Sequence, residues 1–197
     1  MTSDVNSAIT MNKNFNIVIL GVGGQGLITL LRVLSEAAFA NGLDVKTSEL
    51  HGLSQRGGSV SVYIRFGDKV WSPLAPQGQA DLIIALEQQE ALNGLYFANK
   101  ETVFLVNQYE TPTLAQSANQ AEIEAELRKI TEKVNFLPAS ELCQKQLANE
   151  VVSGVYLLGY ALNNGYLPLK KETVIEAIKK TMPEKYQDLN IKALSLP

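Results

Sequence analysis

A short apolar run that ends in a glycine-rich turn narrows the possible folds of this sequence more than any other feature. Residues 15–20 (Phe-Asn-Ile-Val-Ile-Leu) have the pattern of a buried strand. The turn Gly21-Val22-Gly23-Gly24-Gln25-Gly26 follows, and residues 27–40, rich in Leu and Ala, indicate a helix that stops at Asn41-Gly42. Residues 43–49 indicate a second strand. This order predicts a βαβ unit with parallel strands and a right-handed crossover.

The middle of the chain contains one strand of a different kind. Residues 59–66 alternate between apolar and polar side chains, which predicts a half-exposed strand, and residues 69–71 after Gly67-Asp68 indicate a hairpin return. We therefore expect an antiparallel element in an otherwise parallel sheet. Two further buried strands are predicted at residues 81–86 and 102–106, with a short helical segment over 88–97 between them.

The remainder of the chain is mostly helical. Ile123, Leu127 and Ile130 have helical spacing within residues 122–133, and residues 134–138 could form a last strand. From Glu141 onward the pattern is helical, and Gly165 and Pro168 separate a helix that ends near residue 161 from one over residues 173–181. In that second helix the apolar residues Val174, Ile175 and Ile178 lie on one side.

These elements together predict an α/β fold: a Rossmann-like, mostly parallel sheet with an antiparallel hairpin element and a helical C-terminal portion. A length of 197 residues fits one domain with a sizeable core. We expect that domain over residues 15–197, preceded by a flexible N-terminal extension over residues 1–14, which is polar and lacks the apolar run of a signal peptide.

Composition excludes several kinds of chemistry. The chain has one Cys and one His, fewer than the roughly four ligands of an iron–sulfur cluster or a structural zinc site. A single Cys cannot form an internal disulfide, which argues against a secreted, disulfide-stapled scaffold. A net charge of −3 without a Lys/Arg-rich run argues against nucleic acid and anionic membranes as partners. No segment approaches the ~20 apolar residues of a membrane span, and without a signal peptide we expect a cytoplasmic protein.

The glycine turn is the first candidate site. Gly21, Gly23 and Gly26 match the G-x-G-x-x-G pattern, which permits a tight turn and brings a helix N-terminus close to an anion. Glu49 stands roughly where a Rossmann acid would meet a ribose hydroxyl. Leu27-Ile28 replaces the Lys and Ser/Thr that a nucleoside-triphosphatase loop needs, which argues against that class. Nucleotide binding and simple tight packing of the helix both remain open for the candidate residues of this turn, Gly21, Gly23, Gly24, Gln25 and Gly26.

A second polar loop lies between two predicted strands, at the same edge of the sheet as the glycine turn. Ligands of open α/β sheets bind at this edge. Arg56 could grip a phosphate or carboxylate with two hydrogen bonds, and Gly57-Gly58 allows backbone N–H groups to converge on an anion. The isolated His and Arg would be ordinary surface residues; their clustering makes the loop a candidate. Its candidate binding residues are Glu49, His51, Gly52, Ser54, Gln55, Arg56, Gly57 and Gly58.

These two loops, with Trp71-Ser72-Pro73-Leu74 and Ala80-Asp81-Leu82, resemble the gamma domain of the 2-oxoacid:ferredoxin oxidoreductases. The His-Gly-x-Ser-Gln-Arg-Gly-Gly form of the second loop is most similar to the indolepyruvate-type members. The resemblance covers roughly residues 15–197. It implies a subunit of a complex that oxidatively decarboxylates a 2-oxoacid to an acyl-CoA and passes the electrons to ferredoxin.

The resemblance also implies where the cofactors are bound. Thiamine diphosphate and iron–sulfur clusters belong to a larger partner subunit, and coenzyme A binds near this domain. The two loops would have binding and interface roles, without a catalytic residue in this chain. Two alternatives remain open: a stand-alone NAD- or flavin-binding Rossmann-type oxidoreductase, and a non-catalytic assembly partner.

Overall fold

The computed structural model describes residues 11, 13–51, 57–112 and 118–197. Within these residues, six strands form one sheet. The strands are β1 (Phe15–Val22), β2 (Asp44–His51), β3 (Ser59–Gly67), β4 (Leu82–Ala85), β5 (Val103–Asn107) and β6 (Val134–Leu137). The helices are α1 (Leu27–Ala40), α2 (Gln120–Arg128), α3 (Ala139–Leu147), α4 (Ser153–Asn163), α5 (Lys171–Thr181) and α6 (Glu184–Leu194). Short 3₁₀ helices occupy Gln89–Tyr96 and Glu150–Val152.

The strand order is β2-β3-β1-β4-β5-β6. β1, β4, β5 and β6 pair in parallel, whereas β3 runs antiparallel to both of its neighbours. The predicted fold class is therefore confirmed: a mostly parallel α/β sheet with one antiparallel element and a helical C-terminal portion. The strands predicted at residues 81–86, 102–106 and 134–138 correspond to β4, β5 and β6, and the helical segment predicted over 88–97 is the first 3₁₀ helix.

The first two strands run in the same direction, as predicted, but they are not neighbours in the sheet. β2 is parallel to β1 in direction but does not contact it, because β3 lies between them. Val62 in β3, for example, is paired with Ile19 of β1 on one side and with Glu49 of β2 on the other. Val62 and Ile64 are fully buried, so β3 is an interior strand, and burial of its apolar face stabilises it between its neighbours.

The predicted hairpin return through residues 69–71 is wrong. β3 forms its hairpin with the preceding strand β2, and Trp71 is 85% exposed. The Arg65 guanidinium donates hydrogen bonds to the carbonyl oxygens of Ser72 (2.9 Å) and Leu74 (3.1 Å). The carbonyl groups of Ser72 and Leu74 are therefore bound to the Arg65 side chain and are not paired with a neighbouring strand.

The sheet separates two apolar layers. On one face, Ile17, Ile19 and Ile64 pack against α1, α4 and the other C-terminal helices. On the other face, Val18 and Leu20 pack with the first 3₁₀ helix and with α2. The bounds of α2 differ from the prediction, because an Asn119–Glu122 capping box starts this helix and it ends at Arg128. Ile123 and Leu127 are fully buried as predicted, whereas Ile130 is 39% exposed beyond the helix end.

Residues at the start of the described chain are attached to the sheet. The backbone N–H of Met11 donates to Asp68 Oδ1 (3.1 Å), and Lys13 pairs with Asp81 (2.6 Å). Most of the N-terminal extension lies outside the described residues, so its predicted flexibility stays a prediction.

The single cysteine, Cys143 in α3, is fully buried. Burial raises the pKa of its thiol to about 11, so the thiol stays protonated at neutral pH. The thiol is therefore a poor nucleophile. Across the described helices, none has the length and apolar character needed to cross a membrane.

Candidate functional site at the carboxyl edge of the sheet

The glycine turn is closed by a side chain within it. The backbone N–H of Val22 donates to Gln25 Oε1 (2.8 Å), and a Cβ at Gly21 would come within 2.7 Å of the same oxygen. Gly24 and Gly26 have φ angles of 106° and 85°, a region that glycine adopts without strain. Gly21, Gln25 and the two left-handed glycines thus maintain the turn that begins α1.

Gly26 is the N-cap of α1. Its carbonyl accepts the N–H groups of Thr29 (3.0 Å) and Leu30 (3.1 Å), and among the described residues no side chain caps this end of the helix. The first turn of α1 contains no acidic residue. The helix N-terminus is therefore electropositive and is not neutralised by its own first turn.

A backbone hydrogen bond joins the glycine turn to the second polar loop. The N–H of Gly23 donates to the carbonyl oxygen of Gly58 at 3.0 Å. Gly57, beside it, has a φ of 74°. The structure thus brings the C-terminal end of the second loop onto the glycine turn at the carboxyl edge of the sheet, as the sequence predicts. Whether these residues bind a ligand stays a prediction.

The other candidate residues of the second loop are placed only in part. Gly52, Ser54, Gln55 and Arg56 lie outside the described residues. His51 is the last residue of β2, and its backbone is paired with Val60 of β3.

Glu49 does not have the position of a Rossmann acid. In a dinucleotide-binding unit the strand that carries this acid is next to the first strand. Here β3 intervenes, so Glu49 lies two strand spacings, about 10 Å, from β1. Glu49 is paired with Val62 of β3, and Val62 is paired with Ile19 of β1. Glu49 is therefore at the height of Ile19 in the sheet, two residues before the glycine turn begins. The nicotinamide or flavin alternative loses the acid on which it depended.

Glu87 is a buried carboxylate that sequence reasoning missed. It follows β4 at the carboxyl edge of the sheet, and only 3% of its surface is exposed. Its Oε2 accepts the backbone N–H of Glu90 (3.0 Å), and its Oε1 accepts that of Thr111 (3.2 Å). Glu87 therefore holds together the segments that follow β4 and β5. An acid directly after a buried strand was the signal that could have revealed it.

Glu90 continues this arrangement toward the second loop. Its Oε2 accepts hydrogen bonds from Ser59 Oγ (2.5 Å) and from Asn93 Nδ2 (2.8 Å). Ser59 directly follows Gly58, whose carbonyl is bonded to Gly23. A chain of hydrogen bonds thus runs from Glu87 through Glu90 to the glycine turn, and it fixes the end of the second loop from two sides.

Glu87→Gln is expected to change how the stability of the fold depends on pH. Burial raises the pKa of Glu87 above its ordinary value of 4.5, so the folded chain holds this proton more tightly than the unfolded chain. As pH rises from 4.5 through the folded-state pKa, wild type should lose stability relative to Glu87→Gln. Urea unfolding of both proteins at several pH values measures this difference.

Glu101→Gln is the matched control for that experiment. A hydrogen bond and ion pair with Lys133 lower the pKa of Glu101, so its stabilising contribution is lost as pH falls. The free energy of unfolding of wild type, relative to Glu101→Gln, should therefore fall as pH falls, which is the opposite of the trend for Glu87→Gln. A Glu87→Gln difference that does not vary with pH would contradict the prediction.

No group of three or more His, Cys, Asp or Glu side chains within the described part of the chain has the arrangement of a metal site. Glu87 and Glu90 are engaged with backbone N–H, hydroxyl and amide donors. The role that these hydrogen bonds support for Glu87 and Glu90 is to position the surrounding loops.

Comparisons with known proteins agree with one another. The family model described as "Pyruvate ferredoxin/flavodoxin oxidoreductase" matches residues 16–196. The Archaeoglobus fulgidus "Indolepyruvate oxidoreductase subunit IorB" is 44% identical over 190 residues, which cover 92% of each chain.

Two solved structures share the fold. The gamma subunit of a keto/oxoacid ferredoxin oxidoreductase from Geobacter sulfurreducens has a TM-score of 0.68 at 22% identity, covering 92% of this chain and 95% of that one. The 2-oxoglutarate:ferredoxin oxidoreductase from Magnetococcus marinus, solved with 2-oxoglutarate, coenzyme A and succinyl-CoA, has a TM-score of 0.72 at 17% identity. The match covers 94% of this chain but only 30% of that longer one.

Proposed function

Because the chain belongs to the pyruvate ferredoxin/flavodoxin oxidoreductase family, we propose that it is the small subunit of a 2-oxoacid:ferredoxin oxidoreductase that acts on indolepyruvate or a related aryl pyruvate. The observation that carries the proposal is the 44% identity, over 92% of both chains, to a protein named as an indolepyruvate oxidoreductase subunit. The complex would convert the 2-oxoacid and coenzyme A to an acyl-CoA and carbon dioxide, and pass two electrons to ferredoxin.

The larger partner subunit would hold the thiamine diphosphate and the iron–sulfur clusters. A chain with one Cys, which is buried in α3, does not have the ligands for a cluster of its own. The proposal includes a cytoplasmic location, which a single free thiol suits, and a single domain over residues 15–197.

In this proposal the chain contributes a positioned surface at the carboxyl edge of its sheet. The hydrogen bond from Gly23 to Gly58 and the one from Ser59 to Glu90 hold the end of the second loop beside the electropositive start of α1. Arg56 and the glycines around it would then face an anionic group, either the phosphates of coenzyme A or a carboxylate at the partner's thiamine site.

Arg56→Ala tests this role in a complex reconstituted with the larger subunit. Loss of a charge-assisted hydrogen bond should raise the KM for coenzyme A about tenfold or weaken assembly by a similar factor. Steady-state kinetics with indolepyruvate and an electron acceptor measure the first effect, and titration of the two subunits measures the second.

Arg128→Ala is the control, because Arg128 pairs with Glu124 on the surface of α2. It should leave both quantities unchanged. Wild-type KM and wild-type assembly for Arg56→Ala would show that the assigned role of Arg56 is wrong. An isolated chain that carries flavin absorbance or oxidises a nicotinamide cofactor would overturn the proposed function itself.

A further inference from the structure

A groove runs along the helical face of the molecule, beside the glycine turn. We call it the α1 groove: a cavity of about 490 Å³ between the start of α1, the 3₁₀ turn before α4, and α6. Gln25 and Gly26, which belong to the glycine turn, are part of its lining. The side chains that matter to its chemistry are Arg32, Asn149, Val151, Tyr186 and Asn190.

The walls of the α1 groove expose apolar surface. Val151 is 64% exposed and Tyr186 is 47% exposed, although both are large apolar side chains on ordered elements. Leu30, Val152 and Val155 form part of the lining beneath them. Exposed apolar side chains that gather along one groove are a feature of binding surfaces, whereas isolated ones are not.

The charge of the α1 groove is opposite to that of the whole chain. Acidic residues outnumber Lys and Arg by 20 to 17, but the residues that line the groove include no carboxylate. Arg32 is among them, and within the described residues it has no ion pair. The groove therefore complements a negatively charged partner.

The polar groups of the α1 groove are largely engaged within the protein. Asn190 Nδ2 donates to the Tyr186 carbonyl (2.8 Å), and Asn149 Oδ1 accepts the Val151 N–H (3.0 Å). Thr181 Oγ1 donates to the Ala177 carbonyl (2.7 Å). Small-molecule sites present several convergent polar groups to their ligand. A groove that instead offers apolar surface, a tyrosine and an arginine has the composition of a protein interface.

We infer that the α1 groove is a docking surface for the larger subunit, which would insert an acidic segment with an apolar anchor. The anchor would lie against Val151 and Tyr186, and a carboxylate would pair with Arg32. Because Gln25 and Gly26 line the groove, a segment seated there would contact the glycine turn. The inference rests on the proposed function, since it requires the larger subunit.

The test measures the affinity of the small subunit for the immobilised larger subunit. Arg32→Glu reverses the charge and Val151→Asp places a carboxylate on the apolar wall, so each should weaken binding at least about tenfold. Lys100→Glu is the matched control. Lys100 is exposed before β5, at the opposite edge of the sheet, and its reversal should change affinity less than about twofold.

Folding and the proposed function are checked separately. Both substituted groove residues are exposed, so circular dichroism spectra and Tm values should match wild type. Unchanged affinity for both variants would overturn the docking surface while leaving the function intact. If the variants kept wild-type affinity but raised the KM for coenzyme A, the docking surface would also be overturned, because the groove would then bind a small ligand. Failure of the wild-type chain to bind the larger subunit would instead refute the proposed function.

Discussion

Gly159→Ala is expected to lower the free energy of unfolding by about 3 kcal/mol, the largest effect we predict for a single methyl group. Gly159 lies in α4 where this helix crosses α6, and a Cβ there would come within 2.1 Å of the Leu194 carbonyl oxygen. That atom belongs to the backbone, so the helices must separate to accept the methyl group. The helix propensity of Ala would offset only about 1 kcal/mol of this cost.

Thermal unfolding of purified Gly159→Ala measures the effect. For a chain of this size, a loss of about 3 kcal/mol corresponds to a Tm roughly 6–12 °C lower. Gly154→Ala, in the same helix, is the control: its Cβ would come within 2.7 Å of Leu30 Cδ1, the end of a side chain that borders the α1 groove and can shift toward it. It should change stability by less than about 1 kcal/mol. Equal Tm values for the two variants would show that α4 and α6 do not pack this closely.

Asn107→Ala should be similarly costly, for a different reason. Asn107 ends β5 and is 1% exposed. Its Nδ2 donates to the Leu86 carbonyl (3.1 Å) and to Ser140 Oγ (2.8 Å), and its Oδ1 accepts the Ser140 N–H (3.1 Å). Alanine would leave a buried carbonyl and the first turn of α3 without these partners. We expect a loss of about 3 kcal/mol in the free energy of unfolding, measured by urea denaturation.

Asn135→Ala is the matched control for that variant. Asn135 is half-buried, and its side-chain amide donates one hydrogen bond, to the Phe104 carbonyl at 3.2 Å. Its loss should cost about 1 kcal/mol. If Asn107→Ala were no more destabilised than Asn135→Ala, the three hydrogen bonds of Asn107 would not have the structural role that we assign to them.

Local patterns predicted most of the elements of this fold. The apolar runs that became β1, β4 and β5 are continuous because both faces of those strands are covered, and such runs are recognisable in a single sequence. The order of strands in the sheet was less accessible. The alternation of β3 indicated an antiparallel strand, but its neighbours are chosen by contacts far apart in the chain, such as Phe66 with Phe15. Nothing within residues 59–66 encodes them.

The position of the candidate site was predictable from the sequence, but the side-chain contacts that build it were not. Glycines of the first turn were identified from their spacing, and the bond from Gly23 to Gly58 agrees with the expectation that the two loops meet. The structural use of Gln25 was not predictable, because its side chain folds back onto Val22. Glu87 was also missed. Its position directly after a predicted strand was a signal, but the two loops that its carboxylate joins come together only in the folded chain.

The insertion of β3 between β1 and β2 also has a consequence for the order in which the chain can assemble during synthesis. All pairings among β1, β2 and β3 lie within residues 15–67, so this antiparallel half can form before the rest of the chain is made. The other edge of β1 then stays unpaired until β4 is synthesised, and β5 and β6 add outward in chain order. During that interval a fully buried apolar strand presents an open edge, which is where a nascent or truncated chain would be most prone to aggregate.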